Sequence, residues 1–142
     1  MVNSEAFFGF SDWTFVAKDN DVNGVDEGIN LYGLLFTGGN LSGTWSLSSF
    51  PPNLDFMLVF KAGSNNGKTV PGNLVAYLLN ASSGSYQSPT LKDSDFSARA
   101  ISHISLYVRD NGFSEVPLPA AAWLMLAGLG GLGFASRKKK AA

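Results

Sequence analysis

Hydrophobic residues in the first 112 positions occur in short runs that Gly, Asn, Ser and Pro separate. Few windows have the length and the 3.6-residue period of an amphipathic helix, so the pattern predicts strands joined by turns. We expect seven strands, near residues 13–17, 29–36, 44–47, 56–61, 74–79, 86–91 and 100–109. Short strands at this spacing predict an all-β fold, a jelly-roll-like β-sandwich.

Two segments carry most of this prediction. In residues 100–109, Ile104, Leu106 and Val108 alternate with polar or mixed positions, so their shared side should face the core. Residues 56–60 are apolar at every position, which is typical of a strand covered on both faces. The second segment should therefore lie inside a sheet rather than at its edge.

The C-terminal part has a different pattern. Residues 116–136 contain no charged side chain, and as a helix rising about 1.5 Å per residue they span roughly 31 Å, close to the thickness of a bilayer's hydrocarbon core. Trp123 lies near one end, where aromatic rings commonly sit at the level of the headgroups. Four basic residues close the other end: Arg137, Lys138, Lys139 and Lys140. The positive-inside bias predicts that these cations stay in the cytoplasm and that the preceding domain lies outside.

The chain therefore divides into four predicted parts. A β-sandwich ectodomain occupies residues 1–112, and a linker that ends in a proline-containing motif occupies residues 113–119. A single transmembrane helix is expected at residues 120–136, followed by a basic cytoplasmic tail at residues 137–142.

The motif at this junction is Val116-Pro117-Leu118-Pro119-Ala120, and it precedes the apolar segment and the basic cluster. This order of parts resembles the C-terminal sorting tail of the PEP-CTERM class, in its VPLPA variant. The resemblance implies an exported bacterial protein, and an exosortase, a membrane-embedded processing enzyme, as its partner. It also implies a location in the cell envelope, with the ectodomain at the surface or secreted after processing. Leu118 stands where the commonest form of the motif has Glu.

The remainder of the chain adds to this resemblance without assigning an activity. Landmarks such as Gly43-Thr44-Trp45 and residues 58–63 are similar to β-rich ectodomains found before such tails, which are largely uncharacterised. An exported chain is expected to begin with a basic and then an apolar segment. Residues 1–8 have neither, so we expect a truncated sequence, with earlier removal of a signal peptide as the alternative.

The charges are unevenly distributed along the chain. All 11 acidic residues lie at or before Glu115, but only six of the ten Lys and Arg do, so this part carries a net charge of −5 and the tail +4. An acidic ectodomain disfavours nucleic acid as a partner, because phosphate contacts need Lys and Arg. The chain has no cysteine, which excludes disulfides, thiolate metal sites and cysteine nucleophiles.

One loop has the pattern of a calcium ligand set. Asp19, Asp21, Asn23 and the following Gly24 match the first half of a calcium loop, and Asp26 is a further carboxylate nearby. Asn30 stands where such loops have a bidentate Glu. A weak calcium site at Asp19, Asp21, Asn23 and Asp26 is therefore one interpretation, and a solvated acidic hairpin loop is the one we favour. No other cofactor is predicted.

Catalytic chemistry has little support in the sequence. His103 is the only histidine, so a metal centre with two or three histidines in one chain is excluded. A Ser-His-Asp triad lacks a nucleophile-elbow motif, and the acidic residues cluster in turns rather than in pairs suited to glycoside hydrolysis. We expect His103 to be a hydrogen-bonded strand residue.

Four aromatic residues are candidates for a sugar-stacking platform: Trp13, Trp45, Tyr77 and Tyr86. The same residues suit a hydrophobic core, which is the interpretation we favour. The leading functional hypothesis is a non-enzymatic protein of the envelope or biofilm matrix, structural or adhesive. The alternative is a module that binds exopolysaccharide, which exposure of Trp13 or Trp45 on a concave face would favour. A weaker alternative is a small hydrolase, which a pocket that holds His103 against a carboxylate and a hydroxyl would favour.

Overall fold

The computed structural model describes residues 2–63, 74–92 and 95–112, and these residues form eight strands in two sheets. The strands are β1 (Thr14–Asn20), β2 (Val25–Gly28), β3 (Leu35–Gly38), β4 (Ser42–Ser46), β5 (Leu54–Ala62), β6 (Leu74–Leu78), β7 (Ser83–Gln87) and β8 (Ile101–Asp110). One sheet has the order β2-β1-β8-β5-β6 and the other the order β3-β4-β7, and paired strands are antiparallel. The predicted all-β, sandwich-like fold is confirmed.

The predicted sorting motif, transmembrane helix and basic tail lie outside the described residues. Within the three described ranges, the only helical element is a short 3₁₀ turn at Phe7–Gly9. None of the helices in these ranges has the length and apolarity that crossing a membrane requires.

The inner core lies between the two sheets. Ile104, Leu106 and Val108 of β8 are buried there, as their alternation predicts. The three-stranded sheet contributes Phe36 and Tyr86, whose rings meet edge to face with centroids 5.9 Å apart. Burial of these side chains is the main stabilising term that holds the sheets together.

Ile101 also belongs to the inner core, although simple alternation along β8 places it on the mixed face. The pairing of β8 with β5 shifts register at this point, because Lys61 pairs with His103 but Ala62 pairs with Ile101. The extra residue on β8 turns the Ile101 side chain to the inner face, which is the usual effect of a β-bulge.

A second, outer cluster covers the other face of the five-stranded sheet. Met57 and Val59 of β5 are buried there under Trp13, with Val2 and Phe7 packed against them. The apolar run of residues 56–60 therefore has a partner on both faces, as the sequence predicts.

The N-terminal segment that forms this cover, residues 2–13, is held by hydrogen bonds and charge. Asn3 accepts the Trp13 N–H at 2.9 Å and donates to the Trp13 carbonyl at 3.0 Å. Arg109 of β8 forms ion pairs with Asp12 at 3.0 Å and Asp55 at 2.6 Å. The hydrogen bonds of Asn3 fix the conformation of the segment. The Arg109–Asp12 ion pair attaches the segment to β8, and Arg109 in turn binds Asp55 of β5.

The strand predicted at residues 29–36 is wrong. Residues 29–34 form a loop, a short strand (β2) precedes it, and β3 starts only at Leu35. Gly28 and Gly33 have φ of 88° and 61°, which breaks an extended strand at both ends of this loop. Asn30 accepts the Leu34 N–H at 2.6 Å and donates to the Leu34 carbonyl at 2.9 Å, so its side chain replaces a strand partner.

Candidate binding cleft

A cleft of about 890 Å³ opens between the two sheets, where the edge strand β6 of one faces the edge strand β7 of the other. Its buried lining includes the aromatic residues Phe60, Trp45 and Tyr86, and its exposed lining includes Tyr77. Uncharged hydrogen-bonding side chains complete it: Ser42, Thr44, Asn80, Ser85, Gln87 and Ser88. The described lining contains no Asp, Glu, Lys, Arg or His. Such a surface suits a neutral ligand with both an apolar face and hydroxyl groups.

Two reciprocal pairs between β4 and β7 place the buried aromatic rings. Trp45 lies opposite Gly84, and Tyr86 lies opposite Gly43. A Cβ on Gly84 would come within 3.0 Å of Trp45 Nε1, and a Cβ on Gly43 within 2.6 Å of the Tyr86 hydroxyl. Each ring therefore occupies the space that a side chain on the neighbouring strand would take.

Tyr86 is fixed further by its hydroxyl, which donates to the Gly39 carbonyl at 2.8 Å. Burial raises the pKa of Tyr86, and the charge of Asp19 adds to this shift, so the phenol keeps its proton and remains a donor. The inner end of the cleft is therefore rigid and uncharged.

Tyr77 is the accessible ring of the cleft. Its side chain is 46% exposed, and its ring meets that of Phe60 edge to face with centroids 5.5 Å apart. One edge of the ring is thus held by the core while its remaining surface faces solvent.

Three of the four aromatic residues predicted for a sugar-stacking platform line the cleft: Trp45, Tyr77 and Tyr86. The fourth, Trp13, does not. Trp13 lies on the opposite side of the five-stranded sheet, where its Nε1–H donates to the Phe7 carbonyl at 3.2 Å. Trp13 and Trp45 are only 4% and 9% exposed, so neither indole presents an open face on a concave surface. The polar lining of the cleft was missed by the sequence reasoning, although the alternation within Ser83–Gln87 was a signal for it.

The acidic loop between β1 and β2 is organised around a buried carboxylate. Asp19 is fully buried and accepts the N–H groups of Asn23 and Gly24, each at 3.0 Å. Asp26 accepts the Asn20 N–H at 2.6 Å, and Asp21 is exposed. Burial raises the pKa of Asp19 despite its two backbone hydrogen bonds.

These contacts show a structural use for the residues of the predicted calcium site. Each oxygen of Asp19 accepts one backbone N–H group, from Asn23 and from Gly24 respectively. Among the described residues, no group of three or more His, Cys, Asp or Glu side chains is placed to hold a metal ion. Calcium binding by Asp19, Asp21, Asn23 and Asp26 stays a prediction.

His103 lies on the outer face of β8, within the electrostatic influence of Lys18 and Lys61. It pairs with Lys61 of β5 on one side and with Asn20 of β1 on the other. Burial lowers the pKa of His103, and the charges of Lys18 and Lys61 lower it further. The Ser102 hydroxyl is 3.4 Å from His103 Nδ1 but also donates to the Lys61 carbonyl, and His103 does not line the cleft.

Comparison with known proteins identifies the tail. The family model of the PEP-CTERM protein-sorting motif matches residues 115–140, which include the proline motif at 116–120 and the basic cluster at 137–140. No curated protein and no solved structure matches the chain. The sorting motif indicates an exported protein that an exosortase handles at the membrane and that reaches the cell envelope or surface.

Proposed function

We propose that the domain preceding the sorting motif is a non-catalytic ectodomain with a structural or adhesive role in the extracellular matrix. The observation that carries this proposal is the match of residues 115–140 to the sorting motif. The cleft supports a binding role, since its described lining combines aromatic rings with uncharged hydrogen-bonding side chains.

The sorting step is tested by changing the motif in the full natural gene in its own host. We expect the double variant Pro117→Ala/Pro119→Ala to accumulate as an unprocessed, membrane-bound form, because the processing enzyme reads the motif. Cell fractionation and intact mass measure this outcome. Pro71→Ala, which changes a proline outside the motif, is the control and should mature normally. Unchanged maturation of the double variant would contradict the proposal.

A second candidate function is binding of a neutral polysaccharide in the cleft. The specific observation is the combination of the exposed Tyr77 ring with the amide groups of Asn80 and Gln87. Sugar rings have an apolar face that packs on aromatic side chains, and hydroxyl groups that bond to amides and hydroxyls. The lack of charge in the described lining favours neutral over acidic sugars.

This second candidate is tested by mutation of the accessible ring. We expect Tyr77→Ala to weaken binding of neutral polysaccharides from the producing bacterium roughly tenfold, or about 1.4 kcal/mol. Affinity electrophoresis of the full chain measures this change. Phe15→Ala is the matched control, since Phe15 is an aromatic residue of similar exposure that lies outside the cleft. Equal binding by both variants, or a preference for acidic polysaccharides, would contradict this function.

A further inference from the structure

The loop at residues 29–34 presents large aliphatic side chains to solvent. Ile29 is 80% exposed and Leu31 is 69% exposed, and Leu35 at the start of β3 is 59% exposed. Single exposed aliphatic residues are common on protein surfaces. Three of them lie within seven residues of sequence here, and we call these three side chains the apolar loop surface.

This surface is held in a fixed conformation. The Tyr32 carbonyl accepts the N–H groups of Ser48 and Ser49, at 2.9 and 3.2 Å. The Tyr32 ring meets that of Phe56 edge to face, with centroids 4.9 Å apart. Leu34 is buried in the inner core. The exposed side chains therefore project from an anchored loop, and their exposure is a property of the folded domain.

The apolar loop surface lies at the end of the sandwich where the chain leaves it. Tyr32 of this loop accepts hydrogen bonds from Ser48 and Ser49, which lie just before the start of β5. Asn53, directly before β5, accepts the Asn111 N–H at 3.1 Å. Asn111 directly follows β8. We call this end the tail end, and the end of the β1–β2 hairpin the far end.

Chain length restricts which part of the domain can reach a membrane. Residues 113–119 separate the described domain from the predicted transmembrane segment, and seven residues reach at most about 25 Å. β8 has ten residues and is therefore about 33 Å long. A tether shorter than β8 that starts at the tail end keeps this end within about 25 Å of the bilayer and nearer to it than the far end on average.

We propose that Ile29, Leu31 and Leu35 contact the lipid surface and orient the ectodomain on the membrane before processing. This inference rests on the predicted membrane span of the sorting tail. Apolar side chains bind at the boundary of headgroups and acyl chains, and a short tether raises their effective concentration there. The partner is thus the bilayer that holds the tail of the same chain.

The test uses site-specific labels, which the lack of cysteine in this chain permits. Full-length Leu31→Cys is labelled with an environment-sensitive NBD fluorophore and reconstituted in vesicles of phosphatidylethanolamine and phosphatidylglycerol. Leu41→Cys is the matched control, because Leu41 is also an exposed leucine, at 47%, and lies at the far end. Its neighbour Asn40 accepts the N–H of Ile101, the first residue of β8. We expect the label at position 31 to shift to the blue and to lose about half of its emission to lipids with shallow nitroxide quenchers, whereas the control label keeps its aqueous spectrum.

Flotation of the same vesicles separates the two ways in which the inference can fail. A chain that does not float with the vesicles would overturn the membrane span, and the lipid contact with it. A chain that floats while both labels report water would overturn the lipid contact alone. A blue shift at position 31 without quenching by lipids would also overturn it, since a second copy or the chain's own tail would then cover the surface.

Discussion

Asp19 is a residue whose type the sequence shows but whose partners only the structure shows. The alternation of Asp19, Asp21 and Asn23 is shared by calcium loops and by turns in which a carboxylate accepts backbone N–H groups. A carboxylate at 0% exposure needs partners, and Asp19 has them in the N–H groups of Asn23 and Gly24. The sequence favoured a solvated acidic hairpin loop, with a calcium site as the other interpretation, and did not predict the burial of Asp19.

Removal of this carboxylate should destabilise the domain. We expect Asp19→Ala to lower the free energy of unfolding by about 1–2 kcal/mol, because the N–H groups of Asn23 and Gly24 lose the acceptor that fixes the loop. Asn23→Ala changes an exposed neighbour and should stay within about 0.5 kcal/mol of the parent protein. Urea unfolding at neutral pH measures both. Equal stability of the two variants would show that the Asp19 hydrogen bonds contribute little.

The ionisation of Asp19 should also appear in the pH dependence of stability. Since burial raises the pKa of Asp19 above its ordinary value of 3.8, the folded state binds this proton more tightly than the unfolded state does. Stability from the protonated form is complete below about pH 3.8 and is lost as the pH rises through the folded pKa. The stability of the parent protein relative to Asp19→Asn should therefore fall across this range. Parallel pH profiles in urea unfolding would contradict this prediction.

At the scale of strands, periodicity found the positions of most elements but not their ends. The segments at β1, β4, β5, β6 and β8 were expected within a few residues of where they lie. The prediction for residues 29–36 failed because backbone conformation decides this region, through the positive φ of Gly28 and Gly33. The alternation of apolar residues carries no information on φ, and the Asn30 side chain supplies a hydrogen-bond pattern that periodicity cannot show.

The close packing around Gly43 of β4 predicts that a larger residue at this position destabilises the domain. A Cβ on Gly43 would lie 2.4 Å from the Thr37 carbonyl oxygen, which belongs to the backbone of the neighbouring strand β3. We expect Gly43→Ala to lower the free energy of unfolding by about 2 kcal/mol or more. Gly39→Ala in the same hairpin has nothing within 4 Å of the new Cβ and should have little effect. Thermal unfolding of the two variants distinguishes a steric cause from a general loss of glycine.

At the scale of the whole molecule, β5 joins two hydrophobic clusters. Phe56, Leu58 and Phe60 point into the inner core, while Met57 and Val59 point into the outer cluster under the N-terminal segment. Neither cluster can open without exposing one face of the same strand. The sequence showed this directly, because residues 56–60 have no polar position, but it could not show that residues 2–13 are the cover.

This shared strand predicts a single unfolding transition. Trp13 reports on the outer cluster and Trp45 on the inner core, and variants with Phe in place of the other two tryptophans isolate each signal. For each variant, we expect the urea midpoint from tryptophan fluorescence to equal the midpoint from far-UV circular dichroism. An earlier fluorescence midpoint for Trp13 alone would mean that residues 2–13 detach before the sandwich unfolds.

The position of β8 has a mechanical consequence. The chain leaves the domain from this strand, which is paired with β1 on one side and with β5 on the other. In antiparallel ladders the hydrogen bonds run perpendicular to the strands. Tension on the C-terminal tail therefore pulls β8 along its own axis and loads both ladders in shear, so that many hydrogen bonds share the force at once. A force applied to the domain through its C-terminal end is therefore resisted by two ladders together rather than by the opening of one hydrogen bond at a time.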